Sequence, residues 1–234
     1  MTLLEQPRLA LARPAHHPLM EVVRKAGWQP VSYAPTILRA TGSPLPLPWM
    51  QTQAVLILSP AGAKAAGMTL PAGTLCLVQG GGTAAALERR DLEVLLPAEA
   101  RAESLWDQLQ ERFPDGGDFV LARGERSRGF LETIAKDSPW RLHPWITHSE
   151  SIRSPFPPLP EVEGVLAMSP LQAEVLAPLA AHLQRFAWGA GTAQAFLRCG
   201  APAYAYCEPK PSLLWAMLAQ HLTSHPKTEE DSPC

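Results

Sequence analysis

The chain has 234 residues, of which 46% are apolar and 18% charged, with a net charge of −2 and a pI near 6.4. That apolar share supports a packed core and excludes wholesale disorder, and the neutral balance excludes non-specific nucleic-acid binding, which needs a dense basic face. No stretch approaches 18 apolar residues, so no membrane span is expected. The cysteines Cys76, Cys199, Cys207 and Cys234 lie far apart with no zinc-ligand spacing. Glu5, Pro7 and Arg8 break up the first residues, which do not read as a signal peptide. The expectation is a reduced, cytoplasmic protein. Fifteen Arg against five Lys favour forked recognition of carboxylates.

In chain order, Arg8 to Ala12 reads as a strand and Pro18 to Ala26 as a helix stopped by Gly27. Val31 to Leu38 is strand-like, and Ala54 to Leu58 is the continuous apolar run of a buried parallel strand. A helix follows over Pro60–Ala66, opened by a first-turn proline. Next come a strand over Leu75–Val78, a helix over Thr83–Arg90, a strand over Leu92–Leu96, an amphipathic helix over Ala102–Phe113 and the apolar run Phe119–Ala122. The second half repeats the alternation through Val162–Met168, Leu171–Leu183, Phe186–Trp188, Thr192–Cys199, Ala203–Tyr206 and Ser212–Leu222. Alternating strands and helices predict α/β architecture with parallel sheets flanked by helices. The last residues, 226–234, are expected to form a disordered, polar tail.

The alternation is an internal repeat. Leu11-Ala12-Arg13 returns as Leu121-Ala122-Arg123, and Ala54 to Pro60 returns as Gly164 to Pro170, both displaced by 110 residues. Gly80 to Ala84 returns as Gly189 to Ala193, displaced by 109, and Glu103-Ser104-Leu105 as Pro211-Ser212-Leu213, displaced by 108. Proline clusters at Ser43–Pro48 and Ser154–Pro160 precede the two Ser-Pro strands and read as stiff linkers crossed twice by the chain. Two lobes facing across a ligand cleft are then expected.

Both Ser-Pro turns and both glycine-rich turns fall after a strand and before a helix. In an open α/β sheet that is the carboxyl edge, where ligands bind. Helix starts there offer free N–H groups and a positive dipole. The hydroxyls of Ser59, Thr83, Ser169 and Thr192 stand at cap-like positions, either as simple helix caps or as an anion cradle. Arg123, Arg126 and Arg128 put cationic forks near one edge. No P-loop, dinucleotide fingerprint or nucleophile elbow is present. His16 and His17 read as a solvated helix start, His143 and His148 as surface residues, and Trp140 and Trp145 as packing residues.

These anchors, in order, resemble the uroporphyrinogen-III synthase family. They are Arg13-Pro14, Ser59-Pro60, Gly80 to Ala84, Arg123-Gly124 with Arg128, Ser169-Pro170 and Gly189 to Ala193, within roughly residues 8 to 222. The resemblance implies two similar lobes joined by two extended linkers: 1–40 with 150–225 as the first, and 41–149 as the inserted second. It implies a cyclising lyase whose small-molecule substrate is hydroxymethylbilane. The terminal hydroxyl leaves as water, ring D inverts through a spiro intermediate, and the macrocycle closes to uroporphyrinogen III. It implies no cofactor and no metal, no nucleic-acid or membrane partner, and a monomer. The substrate-binding residues it implies are Arg13, Ser59, Thr83, Arg123, Arg128, Ser169 and Thr192. Leu58 and Met168 stand where the family usually has threonine before its Ser-Pro turn. Ile146 stands where the family has a tyrosine that assists hydroxyl loss, which leaves the proton donor unassigned; His148 reaches that place only if the register slips. The alternative is a homologue that binds a tetrapyrrole or other polycarboxylate without turnover.

Overall fold

The computed structural model describes residues 6–13, 15–87, 91–127 and 129–224. The expected tail over 226–234 and Arg128 lie outside the described residues. The chain divides into two compact units: unit 1 is Met1–Ile37 with Ser151–Cys234, and unit 2 is Leu38–Glu150.

The chain opens with β1 (Arg8–Leu11), α1 (Leu19–Lys25), β2 (Gln29–Ser32) and β3 (Thr36–Ala40). It continues through β4 (Ala54–Ile57), α2 (Pro60–Gly67), β5 (Leu75–Val78), α3 (Gly81–Leu87), β6 (Glu93–Leu95) and α4 (Ala102–Arg112). Then come β7 (Gly117–Gly124), α5 (Phe130–Ala135) and the long β8 (Trp140–Ile152). It ends with β9 (Gly164–Ala167), α6 (Pro170–Leu179), β10 (Gln184–Trp188), α7 (Ala190–Arg198), β11 (Ala205–Cys207) and α8 (Pro211–Ser224).

In unit 1 the sheet order is β11-β10-β9-β1-β2. In unit 2 it is β6-β5-β4-β7-β8, with β3 added beside β8. Apart from β3, the two orders are the same once α/β elements are matched through the repeat. Each has one central pair made by distant segments, β1 with β9 and β7 with β4, both parallel. This is the doubly wound order in which the chain departs in opposite directions from the central pair, leaving a crevice at its carboxyl end.

The central strands are apolar because both faces are covered. Leu9 and Leu11 face α1 and α8 together with Leu166, Phe186 and Trp28, whereas Ala10, Val165, Ala167 and Ala187 face α6 and α7. In unit 2, Val55, Ile57 and Val120 meet α2 and α3 through Ala63, Ala66 and Leu87. Leu56, Phe119 and Leu121 meet α4 and α5 through Leu105, Leu109 and Leu131. Small residues let α2 and α3 approach closely: a Cβ at Gly67 would stand 2.9 Å from Leu87 O.

Several elements differ from the sequence reading. The single strand expected over Val31–Leu38 is two strands, β2 and β3. Pro35 between them lacks an N–H to donate to a ladder. The helix expected over Leu171–Leu183 stops at Leu179, after Pro178. Arg185 Nη1 then takes up exposed carbonyls, donating to Ala180 O (2.8 Å) and Ala181 O (3.0 Å). The proline clusters are not the crossings. The unit boundaries fall within β3 and within the last residues of β8, while Ser43–Pro48 lies in unit 2 and Ser154–Pro160 in unit 1. Each cluster is tied to its own unit by a buried aromatic at a matching place. Trp145 Nε1 donates to Ser43 O (2.8 Å), and Tyr33 Oη donates to Pro157 O (3.1 Å).

Candidate functional site

The carboxyl edge of unit 2 begins at β4. Ser59 leaves the strand extended (φ −153°, ψ 155°), and its Oγ accepts from Gly62 N at 3.1 Å. Pro60 starts α2, where its fixed φ and missing N–H do no harm. Ser59 is thus a true N-cap. Thr83 is not one. It sits third in α3 behind Gly81 and Gly82, is 5% exposed, and sends its N–H to Gly80 O at 2.9 Å.

Across the central pair, β7 ends in Arg123 and Gly124. Arg123 Nε lies 2.5 Å from Glu132 Oε1 of α5, and its Nη1 donates to Gly124 O at 3.1 Å. This guanidinium is therefore engaged by its own chain. Between Arg123 and Gly124 the pairing to β8 slips: Arg123 stands opposite Ile146 and Gly124 opposite His148. The irregularity turns Thr147 and His148 onto the edge. Thr147 is buried, its Oγ1 donating to Arg123 O at 3.2 Å and lying 3.0 Å from His148 Nδ1. Since that hydroxyl spends its one proton on a carbonyl, Nδ1–H must donate to it. The hydrogen-bond network thereby assigns the neutral tautomer with a lone pair on Nε2. Burial pushes the His148 pKa below its ordinary value, with Glu150 opposing more weakly.

Two glycines lie against this pair, and glycine is required at one of them, Gly124. A Cβ at Gly124 would stand 2.7 Å from His148 Nε2, so the ring occupies the place a side chain would take. A Cβ at Gly62 would lie 3.4 Å from Ser59 Oγ and 3.5 Å from Thr147 Oγ1. The cap of α2 and the Thr147–His148 pair are thus contiguous.

Unit 1 has the same edge with other contents. Ser169 caps α6, accepting from Gln172 N at 3.2 Å, with Pro170 behind it. Gln172 stands where unit 2 has Gly62. Its buried amide accepts from Met168 N (2.8 Å) and donates to Thr36 Oγ1 (3.1 Å). The Gln172 side chain therefore makes a bridge in unit 1 that glycine cannot make in unit 2. Thr192 again is not the cap; Gly189 is, with φ 96°, a conformation open mainly to glycine. The Thr192 hydroxyl donates back to Trp188 O at 3.1 Å. Arg13 follows β1, its Nη1 donating to Ala12 O at 3.0 Å. His17 is not simply solvated: its Nδ1 accepts from Leu19 N at 3.2 Å, which places its proton on Nε2. Its pKa is lowered by burial first, then by Arg13 and His16.

The sequence reading placed Ser59, Ser169, Arg123 and the two glycine turns at carboxyl edges, and the structure does so; Arg13, expected only through the resemblance, follows β1. It missed Gly62, Thr147 and Gln172, and took His148 for a surface residue. Aligning the repeat through α2 and α6 pairs Gly62 with Gln172, a signal available in the sequence. Among the described residues, no three His, Cys, Asp or Glu side chains gather as a metal site, and no helix is long and apolar enough to cross a membrane.

Comparison with known proteins places this architecture. The solved structure of uroporphyrinogen-III synthetase from Helicobacter pylori matches with a TM-score of 0.64 at 12% identity, over 92% of this chain and 99% of that one. A mutant uroporphyrinogen III synthase from Thermus thermophilus matches with a TM-score of 0.55 at 17% identity, over 92% and 99%. At such identities the likeness is one of fold. No curated protein matches the sequence. The family model described as Uroporphyrinogen-III synthase HemD matches residues 10–213. That span includes every described edge residue named above, and the chain belongs to the uroporphyrinogen-III synthase family, the cyclising hydro-lyases of tetrapyrrole biosynthesis.

Proposed function

We propose that this chain closes linear hydroxymethylbilane to uroporphyrinogen III as a cytoplasmic monomer. The observation that carries the reading is the family match over residues 10–213, in which the two Ser-Pro caps and two glycine turns recur in order. It favours turnover over binding alone.

The chemistry asks little covalent work of the protein. The hydroxymethyl group leaves as water, the resulting cation bonds to the substituted carbon of ring D, and the spiro intermediate opens and recloses with that ring inverted. What the enzyme must supply is a fold of the flexible substrate in which these carbons meet, which proximity and orientation provide, and a site from which water is excluded while the cation lives. The substrate's carboxylates are the natural handles. Ser59 and Ser169 fix two helix starts at which the N–H groups of Ala61 and Leu171 have no intrahelical acceptor. In our reading Thr83 and Thr192 act by holding the turns that follow Gly80 and Gly189, so carboxylates meet backbone N–H groups there rather than the hydroxyls. Arg13, Arg123 and Arg128 add positive charge.

The test is a coupled assay with freshly made hydroxymethylbilane and chromatographic separation of the isomers. Type III product above the spontaneous background is expected. Type I alone would overturn the reading, and tight uroporphyrin binding in that case would point to the binding-only homologue.

A further inference from the structure

Ring closure on a pyrrole carbon has a second half that the edge of unit 2 is built to serve. When the new C–C bond forms at the unsubstituted carbon of the terminal ring, that carbon holds both the bond and its hydrogen, and the ring is cationic. The C–H electron pair returns to the ring only when a base removes the proton. We propose that His148 is that catalytic base, its Nε2 taking the proton as the macrocycle closes. The inference rests on the function proposed above and assigns a step of it to a residue.

Three observations carry it. The Thr147 hydroxyl, committed to Arg123 O at 3.2 Å, makes His148 Nδ1 the donor across 3.0 Å, so the neutral ring offers its lone pair at Nε2. That nitrogen makes no hydrogen bond among the described residues and lies against the bare Cα of Gly124, at the carboxyl end of the central pair. At the matching place of unit 1 Gln172 reaches across to Thr36, whereas Gly62 has no side chain to reach toward β8 and lies beside Thr147. Other histidines do not share this. His17 carries its proton on Nε2, and His143 Nε2 is held by Asp118 Oδ1 at 2.8 Å.

The proton balance closes. One proton leaves with the hydroxyl as water, one is returned from the pyrrole carbon, and the imidazolium passes it to solvent. The charged and titratable groups on the elements around the ring are Arg141, His143 and Glu150 on its own strand, Arg39 on the neighbouring β3, Arg123, Glu125 and Arg126 on β7 and its turn, and Glu132 paired to Arg123. Burial outweighs Glu150, so the ring is neutral and able to accept a proton at neutral pH.

The experiment measures kcat and KM for type III formation by the full chain across about pH 5 to 9, the range in which histidine titrates. Wild type is expected to lose kcat on the acid side, with a midpoint below the ordinary histidine value of about 6.5. His148→Asn, whose amide still reaches Thr147, is expected to lower kcat about 10²-fold or more, the usual share of a general base. KM should stay within about twofold, and the acid limb should vanish. Free imidazole should restore part of the rate to His148→Ala. A folded His148→Asn with near-normal kcat overturns the assignment and leaves the synthase reading standing. So does a wild-type profile that falls only on the alkaline side, a measurement that needs no variant to fold. Type I product alone from wild type overturns both.

Discussion

Gly124→Ala separates position from composition at the edge of unit 2. The added Cβ would stand 2.7 Å from His148 Nε2, 3.2 Å from Cε1 and 3.3 Å from Cδ2, against an ordinary lower contact of 3.4 Å. The imidazole must therefore move by roughly 0.7 Å, the shortfall at Nε2. The backbone does not resist, since Gly124 is not among the glycines with positive φ. A side-chain torsion pushed off its well costs about 0.5–1.5 kcal/mol, and Gly→Ala in a permissive conformation returns about 0.4–1 kcal/mol through the unfolded state. The net change is under about 1 kcal/mol, or no more than about 4 °C in melting temperature for units of this size. Catalysis is less forgiving: a misplacement near 1 Å costs about 10²-fold. Thermal melts and type III kinetics on the same preparation give both numbers. A variant that melts normally and turns over normally would show that the position of the His148 ring is immaterial. A variant that loses several kcal/mol would show that β8, rather than the ring, had to move.

Four further substitutions probe the frame. Ser59→Ala and Ser169→Ala each remove an N-cap, costing about 1 kcal/mol; amide exchange should quicken at the start of α2 in the first and of α6 in the second, and spread of either effect to the other unit would contradict the division. Glu132→Gln leaves the Arg123 guanidinium, a mostly buried group, without its carboxylate; a loss of about 2–3 kcal/mol is expected by denaturant titration, and no loss would make the pair ornamental. Asp118 is held well below the usual carboxylate range, first by the hydrogen bond from Arg141 and then by that from His143. A depressed folded pKa gives stability that is present above the unfolded value of about 3.9 and lost as pH falls below it. Asp118→Asn should therefore flatten the acid limb of the melting temperature, and an unchanged limb would refute the linkage.

The frame was legible because its signals are local and doubled. A buried parallel strand reads as an unbroken apolar run, and the turn after it needs a cap and a proline or glycine. Ala54 to Pro60 and Gly164 to Pro170 carry both. What sequence could not give is pairing between distant segments. Which residue of β8 stands opposite Gly124 depends on a register slip at the end of β7, and a one-residue slip exchanges the faces of every side chain beyond it. His148 therefore looked like a surface residue beside a strand. Thr83 and Thr192 misled for a different reason: a hydroxyl just after a glycine turn resembles a cap, but each lies inside its helix, and the cap of α7 is Gly189.

The repeat also says where to look for chemistry. Features present in both units are those that any doubly wound sheet needs, namely the Ser-Pro cap, the glycine turn and the aromatic that ties down the proline cluster. Features present in one unit answer to something else. Gln172 stitches Met168 and Thr36 together in unit 1 with two hydrogen bonds. Gly62, at the matching place, has no side chain to make them and lies beside Thr147, which in turn pairs with His148. An asymmetry of this kind inside a duplicated scaffold marks the edge of unit 2 as the place to test for chemistry. Gly62→Gln, which would carry the bridging side chain across, is the change this asymmetry most directly forbids.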